Sequence, residues 1–296
     1  MNRRAFLATS AGATATLIAD HHGGKPKTDH GAFYLAVKSG MVGTGGSLTE
    51  KYKLLKELGY DGVEGGAPFN NDPEDFRAAS KAAGLPIHGV VNGIHWGTKL
   101  SAESDEERER ALNGLLKCIE QSYAIGGSSV LLVPGVVGKG ATPKQAWDRS
   151  IVGIRKALPL ASKLGIHILI ENVWNGMFYD PKGPNTQTAE PLKNYLDEIN
   201  SPWVGSYFDI GNHQKFGKPA EWIKTLGRRI VKLDVKDWGV KGGFTKIGEG
   251  DVDWPAVRAA LKDIGFQGWA TAEVGGGKKD RLAEVLANMR THLVGA

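Results

Sequence analysis

Four consecutive predicted strands in the second half of this 296-residue chain each carry an acidic residue at or near their C-terminal end. The four residues are Glu171, Asp209, Asp234 and Glu273. Carboxylates that converge without a cation repel one another, and several of them would have to stay protonated. A bound divalent cation removes that repulsion, and oxygen ligands suit Mg²⁺ or Mn²⁺. The pattern therefore predicts a metal site for Mn²⁺ or Mg²⁺ at these strand ends.

Each carboxylate taken alone also has a structural explanation. An acidic residue at a strand end often caps the next helix or pairs with a lysine. The shared position of all four favours one common site over four separate structural roles. Asp234 fits the metal prediction least well, because it lies inside its strand between Lys232 and Lys236, which could pair with it instead.

The elements that must position these residues alternate regularly along the chain. Eight apolar or β-branched runs predict strands, and eight amphipathic stretches between them predict helices. The predicted strands are Phe33–Val37, Gly62–Glu64, Pro86–Val91, Ser129–Val133, Ile166–Glu171, Val204–Asp209, Ile230–Lys236 and Trp269–Glu273. The predicted helices are Leu48–Leu58, Pro73–Ala83, Ser104–Ile125, Pro143–Leu164, Ala189–Ile199, Pro219–Leu226, Trp254–Ile264 and Lys279–Leu293.

Strict alternation of strand and helix predicts a parallel sheet covered by helices. Eight such units close into a single (β/α)8 TIM barrel, which we place at residues 33–296, and its active site lies at the C-terminal strand ends. The alternative is a doubly wound open sheet, which usually carries a phosphate-binding glycine loop after its first strand. The cluster Gly43-Thr44-Gly45-Gly46 does not fit that loop, because the third glycine would fall at Leu48.

Charge and cysteine content exclude several classes of protein. The formal net charge is +5, but Lys and Arg are dispersed among Asp and Glu. Without a basic stripe, nucleic acid is not expected as a partner. Cys118 is the only cysteine, so the chain cannot form an internal disulfide. We expect this residue to be a small buried apolar group rather than a nucleophile.

The first residues look like a targeting signal. Arg3-Arg4 precedes Phe6-Leu7 and a weakly apolar run that is too short for a membrane span. This order predicts a twin-arginine signal at residues 1–19 and export of the folded protein, for example to the periplasm. The alternative is an unstructured start that happens to contain two arginines. We predict that residues 20–32 are a flexible segment ahead of the barrel.

Several weaker candidates for substrate contact lie near predicted strand ends. They are Glu64, His88, His95, Trp96 and Lys236. Glu64 could contact substrate or hold His88, and Lys236 could bind a substrate oxygen. A single histidine in a barrel is more often a structural residue with satisfied hydrogen bonds, so each histidine has that alternative.

Seven segments carry a family resemblance. They are Gly59–Glu64, Ile94–Trp96 with Leu100-Ser101, Val130–Gly135, Ile170–Asn175, Ser201–Gly205, Tyr207–Asn212 and Ile247–Trp254. The chain resembles the xylose-isomerase-like TIM barrels, which include tagatose 3-epimerase, hexulose-6-phosphate isomerase and L-xylulose-5-phosphate 3-epimerase. The resemblance covers about residues 33–293 and does not identify a substrate.

The resemblance implies a metal held by Glu, Asp, His and Glu on strands five to eight. Glu171, Asp209 and Glu273 match, whereas the histidine position is occupied by Asp234. Aspartate is a ligand for hard cations, which favours Mg²⁺ or Mn²⁺. Many family members also have a substrate-contacting histidine three residues after the strand-six Asp. Here that position is Asn212, and His213 follows it.

The implied chemistry is proton transfer beside a sugar carbonyl through an enediolate. Glu171 and Glu273 would remove and return the proton, with a divalent metal as Lewis acid. The expected function is therefore a metal-dependent isomerase or epimerase of a ketose or keto-sugar. The alternatives are a 3-keto-glycoside lyase or hydratase on the same site, and a non-catalytic sugar-binding barrel. The expected partner is a small carbohydrate, and a homo-oligomer is compatible with the sequence.

Overall fold

Eight parallel strands form a closed barrel in the computed structural model, which describes residues 31–296. They are β1 (Phe33–Lys38), β2 (Gly62–Ala67), β3 (Ile87–Asn92), β4 (Ser129–Leu132), β5 (His167–Glu171), β6 (Val204–Asp209), β7 (Ile230–Val235) and β10 (Gly268–Ala272). Around the barrel the order is β1-β10-β7-β6-β5-β4-β3-β2, and β1 therefore closes the barrel against β10. The predicted single (β/α)8 barrel is confirmed.

Eight helices surround the barrel. They are α1 (Leu48–Leu58), α2 (Pro73–Ala83), α3 (Asp105–Ala124), α4 (Pro143–Leu164), α5 (Glu190–Ile199), α6 (Pro219–Leu226), α7 (Trp254–Asp263) and α8 (Lys279–Met289). Local signals fix their ends: Ser47 and Glu50 form a capping box at the start of α1, and Gly59 ends it with a φ of 97°. The last helix is shorter than predicted, because a π-helical turn occupies Arg290–Val294.

The apolar core has two parts. The larger part lies between the outer faces of the strands and the helices, and it includes Leu55, Ile119 and Trp222. A small cluster of Leu131, Leu169 and Tyr207 forms the second part. These three residues sit on neighbouring barrel strands at positions that face away from the helices. This packing inside the barrel supports the C-terminal ends of the strands.

A short antiparallel hairpin follows β7 and was not predicted. It consists of β8 (Asp237–Gly239) and β9 (Gly243–Thr245). Asp237 holds the hairpin to the next segment, since its carboxylate accepts hydrogen bonds from the Gly248 amide at 2.8 Å and from Trp254 Nε1 at 3.0 Å. The hairpin places Phe244 beside the barrel mouth, where its ring is 49% exposed.

The described residues begin just before the barrel. Gly31 and Ala32 form a turn that leads directly into β1. The predicted twin-arginine signal at residues 1–19, and residues 20–30 of the predicted flexible segment, lie outside the described residues. Within residues 31–296, none of the helices has both the length and the hydropathy that a bilayer span requires.

Candidate active site

The four predicted carboxylates lie together at the barrel mouth. Glu171 ends β5, Asp209 ends β6, Asp234 lies near the end of β7, and Glu273 follows β10. The parallel pairing of β6 with β7 sets Asp209 directly beside Asp234. One oxygen from each of the four residues lies within 4.8 Å of the others. The barrel therefore brings into one cluster residues that are up to about a hundred positions apart.

A lysine that the sequence reasoning missed enters this cluster from β1. Lys38 Nζ donates hydrogen bonds to Asp234 Oδ2 at 2.9 Å and to Glu273 Oε1 at 2.8 Å, and it lies 3.9 Å from Glu64 Oε2. Burial lowers the pKa of Lys38, but the charges of Asp234 and Glu273 outweigh burial and hold the pKa well above its usual value. Lys38 is therefore a fixed positive charge inside the cluster. Its signal in the sequence is a charged residue directly after the first predicted strand.

Lys236, a predicted substrate contact, is the second cation in the cluster. Its Nζ lies 3.0 Å from Asp209 Oδ2 and 2.5 Å from Glu273 Oε2. It also donates a hydrogen bond to Asn212 Oδ1 at 3.1 Å. Burial lowers the pKa of Lys236, but the nearby carboxylates, Asp209 first, raise it by more. Glu273 thus lies between two ammonium groups.

The two predicted catalytic glutamates differ in ionisation. Burial raises the pKa of Glu171 to about 8, and the negative charge of Glu273 adds to the effect. Burial also acts to raise the pKa of Glu273, but Lys38 and Lys236 outweigh it and lower the value to about 2. At neutral pH, Glu171 is therefore mostly protonated and Glu273 is a carboxylate. Two carboxyl groups whose pKa values are pushed apart are typical of an acid and base pair.

Asn212 connects the two halves of the cluster. Its side-chain nitrogen donates to Glu171 Oε1 at 3.3 Å and to the Asn172 carbonyl at 2.9 Å, while its oxygen accepts from Lys236. Its backbone amide donates to Asp209 Oδ1 at 2.8 Å. Asn212 therefore positions Glu171 and Lys236 relative to each other.

His95 presents a hydrogen-bond donor near the cluster. Its Nδ1 accepts from the Val133 amide at 3.0 Å, so in the neutral ring the proton is on Nε2. Burial first, and then the charge of Lys38, lower the pKa of His95 to about 4. The ring is therefore neutral at pH 7. Trp96 packs its edge against this ring and is 49% exposed.

Three other predicted substrate contacts are placed deeper in the protein. His88 is buried in the barrel interior, where Nδ1 contacts Lys232 Nζ at 3.0 Å and Nε2 contacts Thr271 Oγ1 at 3.1 Å. His213 is buried under the mouth and stacks on Trp222 with ring centroids 4.5 Å apart. Both positions favour the structural role. Glu64 is fully buried, and among the described residues its nearest cation is Lys38.

A pocket of about 360 Å³ opens onto the cluster. Its wall includes Glu273 and Lys236, together with Phe244 of the hairpin and Arg281 of α8. This volume lies at the lower end of the range of roughly 300–1,000 Å³ for small-molecule sites. The pocket therefore has room for one small polar substrate in contact with Glu273.

The donor set fits a hard divalent cation. Four carboxylates converge, and Asp234 Oδ1 is buried with no hydrogen-bond donor among residues 31–296. Within residues 31–296, the ammonium groups of Lys38 and Lys236 contact three of the four carboxyl groups, those of Asp209, Asp234 and Glu273. A divalent cation would supply the positive charge that the fully ionised cluster still lacks. Oxygen ligands of this kind suit Mg²⁺ or Mn²⁺.

Comparison with known proteins agrees with this fold. Residues 52–292 match the xylose isomerase-like TIM barrel family, and the chain belongs to that family. It is 22% identical over 266 residues to an inosose dehydratase of Geobacillus kaustophilus, covering 80% of this chain and 83% of the relative. It is 26% identical over 242 residues to the L-ribulose-5-phosphate 3-epimerase UlaE of Salmonella paratyphi C, covering 74% and 79%.

Two further matches extend this picture. An uncharacterized protein of Methanocaldococcus jannaschii is 28% identical over 184 residues, but the match spans only 60% of that protein and 59% of this chain. The solved structure of a D-allulose 3-epimerase from Methylomonas sp. superposes with a TM-score of 0.71, at 18% identity, over 88% of this chain and 97% of that chain. At this identity the superposition shows a shared fold. The relatives of this chain by sequence thus include an inosose dehydratase and an L-ribulose-5-phosphate 3-epimerase.

Proposed function

We propose that this protein is a metal-dependent isomerase or epimerase of a ketose or keto-sugar, which acts by proton transfer through an enediolate. The observation that carries the proposal is the convergence of Glu171, Asp209, Asp234 and Glu273 at the barrel mouth, with Lys38 and Lys236 both in contact with Glu273. Two carboxyl groups close together in one buried cluster are what general acid–base catalysis needs to remove a proton from carbon and return it to a neighbouring position. Epimerase and dehydratase relatives support the same class of chemistry.

Each group has a defined task in this proposal. Glu273 accepts the proton from the carbon beside the carbonyl, and Glu171 is the second carboxyl group that takes up or returns a proton. Lys38 and Lys236 place positive charge where the enediolate oxygens become negative, which is the largest kind of electrostatic contribution to catalysis. The neutral His95 offers its Nε2 proton to a substrate oxygen.

A divalent cation has a ready site in this arrangement. Glu171, Asp209, Asp234 and Glu273 would hold it, and when bound it would supply Lewis-acid polarisation of the substrate carbonyl. Asp234 then replaces the histidine that the family resemblance leads one to expect. Its buried oxygen without a hydrogen-bond donor supports this role.

A lyase or dehydratase is the second candidate, supported by the inosose dehydratase relative and by the protonated state of Glu171. After proton removal by Glu273, a protonated Glu171 can donate its proton to a leaving oxygen beside the enediolate. The base and the first step are shared, so only the products separate the two candidates. The intact acid and base pair argues against the third candidate, a non-catalytic binding barrel.

The test is isotope exchange in D₂O with Mn²⁺, on a panel of free ketoses, ketose phosphates and 3-keto-glycosides. We expect deuterium beside the carbonyl of at least one compound. Glu273→Gln and Glu171→Gln should each lower the exchange rate by about 10²–10⁴-fold, the usual contribution of general acid–base catalysis. A chelator should also suppress it.

Glu57→Gln is the matched control, because Glu57 is exposed on α1, away from the cluster. It should leave exchange unchanged. A product of unchanged mass identifies an isomerase or epimerase, and a released leaving group identifies the lyase. Because the predicted export favours unphosphorylated sugars, free sugars and keto-glycosides should react in preference to phosphates. Absence of exchange on every compound would refute the proposal.

A further inference from the structure

A second cavity lies beside the cluster and takes no part in the proposed reaction. It measures about 1060 Å³ and lies between the loop after β5 and the loop after β6. Trp174, Tyr179 and Thr188 of the first loop line it, together with Lys215 and Phe216 of the second. The pocket at Glu273 is about 360 Å³. The protein therefore offers space well beyond that needed for a single sugar ring.

Aromatic rings form much of the cavity wall. Tyr179 and Phe216 pack with centroids 4.4 Å apart, and Lys215 Nζ lies 5.1 Å from the Trp174 ring and 5.4 Å from the Phe216 ring. Trp174 is 38% exposed. The electron-rich face of an aromatic ring attracts partial positive charge. A pyranose ring presents such charge as a face of C–H groups, so it can stack on this wall.

The cavity and the catalytic pocket share a wall. Trp174 of the cavity packs against Phe244 of the catalytic pocket, with centroids 5.1 Å apart. The Trp174 indole N–H also donates to the carbonyl of Asn212, and the side chain of Asn212 donates to Glu171. Hydrogen bonds through Trp174 and Asn212 thus connect the cavity wall to Glu171, the proposed acid. The contact between Trp174 and Phe244 therefore lies between a ligand in the cavity and a substrate at Glu273.

Polar groups in the same wall suit the hydroxyl groups of a sugar. Asp180 supplies a carboxylate, Thr188 a hydroxyl and Lys215 an ammonium group. Asp180 and Lys215 are both exposed, so water already solvates their charges. Both charges can stay solvated when a neutral ligand binds. One negative and one positive charge give no preference for an ionic ligand. The wall is matched to a neutral ring with one apolar face and a polar edge.

We propose that this cavity binds the second ring of a glycoside whose first ring is the keto-sugar at Glu171 and Glu273. The substrate class is then keto-glycosides with a sugar as the second ring, rather than free ketoses. The inference rests on the proposed function for the identity of the reacting ring. The shared wall at Trp174 and the mixed aromatic and polar lining carry it.

Binding measurements by calorimetry test the inference. The probes are the 3-keto derivatives of methyl glucoside, phenyl glucoside, maltose, cellobiose, trehalose and sucrose. We expect at least one disaccharide derivative to bind at least about tenfold more tightly than the methyl glucoside, which corresponds to about 1.4 kcal/mol. If none of the disaccharides exceeds methyl glucoside, or if phenyl glucoside exceeds all of them, the proposal is overturned.

Variants of the cavity wall locate the second ring. Tyr179→Ala and Lys215→Ala should remove most of the disaccharide advantage and leave methyl glucoside binding within about twofold, whereas Tyr179→Phe should retain the ring and most of the advantage. Tyr123→Ala is the matched control, because Tyr123 is 58% exposed on α3 outside the cavity. Equal weakening of both ligands by Tyr179→Ala would contradict the inference.

The two proposals fail in different ways. A disaccharide advantage that depends on Tyr179, without deuterium exchange in the wild type, would remove the proposed chemistry and keep the second-ring site. Exchange on a free ketose, with no disaccharide bound more tightly than its single ring, would keep the chemistry and remove the second-ring site.

Discussion

Buried lysines occur in two very different settings in this barrel. At the mouth, Lys38 and Lys236 contact the carboxyl groups of the cluster, and the pKa values of both lysines are raised. In the barrel interior, Lys232 donates to the His88 carbonyl at 2.6 Å and to Ser129 Oγ at 2.8 Å, and burial lowers its pKa to about 7. One fold thus holds lysines as permanent charges at one level and, below it, a lysine that burial leaves only partly protonated at neutral pH.

The two settings correspond to two roles, catalysis at the mouth and structural support of the strands in the interior. Charges at the mouth change the ionisation of Glu273 and can act on a substrate. The interior lysine belongs to a chain of buried hydrogen bonds, in which His88 contacts Thr271 Oγ1 at 3.1 Å and Thr271 contacts the Tyr207 hydroxyl at 2.9 Å. We infer that the interior network supports the strands and that the mouth network carries the activity. The experiments that follow test whether the two networks have these different roles.

The largest expected effect is on stability, in the interior network. Lys232→Ala should lower the free energy of unfolding by about 3–5 kcal/mol, since it leaves a cavity and removes the donor to His88 and Ser129. Lys232→Met keeps most of the volume and should cost about 1–3 kcal/mol. Denaturant unfolding measures both, and Lys224→Ala on the surface of α6 should stay within about 0.5 kcal/mol. Equal midpoints for all three variants would contradict a supporting role.

The next effect concerns activity, at the mouth. Lys38→Met should lower the exchange rate by about 10²-fold, the effect of removing one group that stabilises developing negative charge. It should also raise the pKa of Glu273, because Lys38 holds that pKa low, and the acidic limb of the pH–rate profile should shift to higher pH. Lys53→Met on the exposed face of α1 is the control. An unshifted profile would show that Lys38 only fills space.

The same substitution should change metal binding in the opposite direction. Lys38 occupies oxygens of Asp234 and Glu273 that would otherwise be free for a cation. Its removal should therefore tighten Mn²⁺ binding, measured by calorimetry on protein without substrate. Weaker binding in the Lys38 variant would mean that the ammonium group and the cation occupy separate places.

The sequence predicted the barrel well because its signals are local. Capping residues such as Ser47 and left-handed glycines such as Gly59 act within one helical turn, and the matching bounds of α1 follow from them. The carboxylates were found because each lies at or near the end of a predicted strand. Whether they bind metal and substrate as proposed is a question for the experiments above.

What the sequence did not reveal depends on closure of the barrel. Lys38 lies 235 positions from Glu273, and only the pairing of β1 with β10 brings them together. The hairpin with Phe244 consists of two strands of three residues each, too short for a periodic pattern. The interior contact of His88 with Lys232 likewise joins residues 144 positions apart. Long-range pairings of this kind have no local signal.

The smallest effect is a pH dependence of stability beneath the mouth. Burial lowers the pKa of His213 to about 3, so the folded protein binds fewer protons there than the unfolded chain, whose histidine pKa is near 6.5. The stabilisation is complete above pH 6.5 and is lost as the pH falls from there towards 3. When the pH falls from 7.5 to 5.5, His213 should lower the free energy of unfolding by about 1.4 kcal/mol.

The substitution His213→Asn tests that assignment, because asparagine keeps a polar side chain near Asn172 but cannot bind a proton. The variant starts from a lower stability, since it loses the stacking on Trp222. Its stability should nevertheless fall by about 1.4 kcal/mol less than that of the wild type between pH 7.5 and 5.5. Parallel pH curves for the two proteins would place the proton uptake elsewhere, with His88 and His95 as the next groups, since burial lowers the pKa of both.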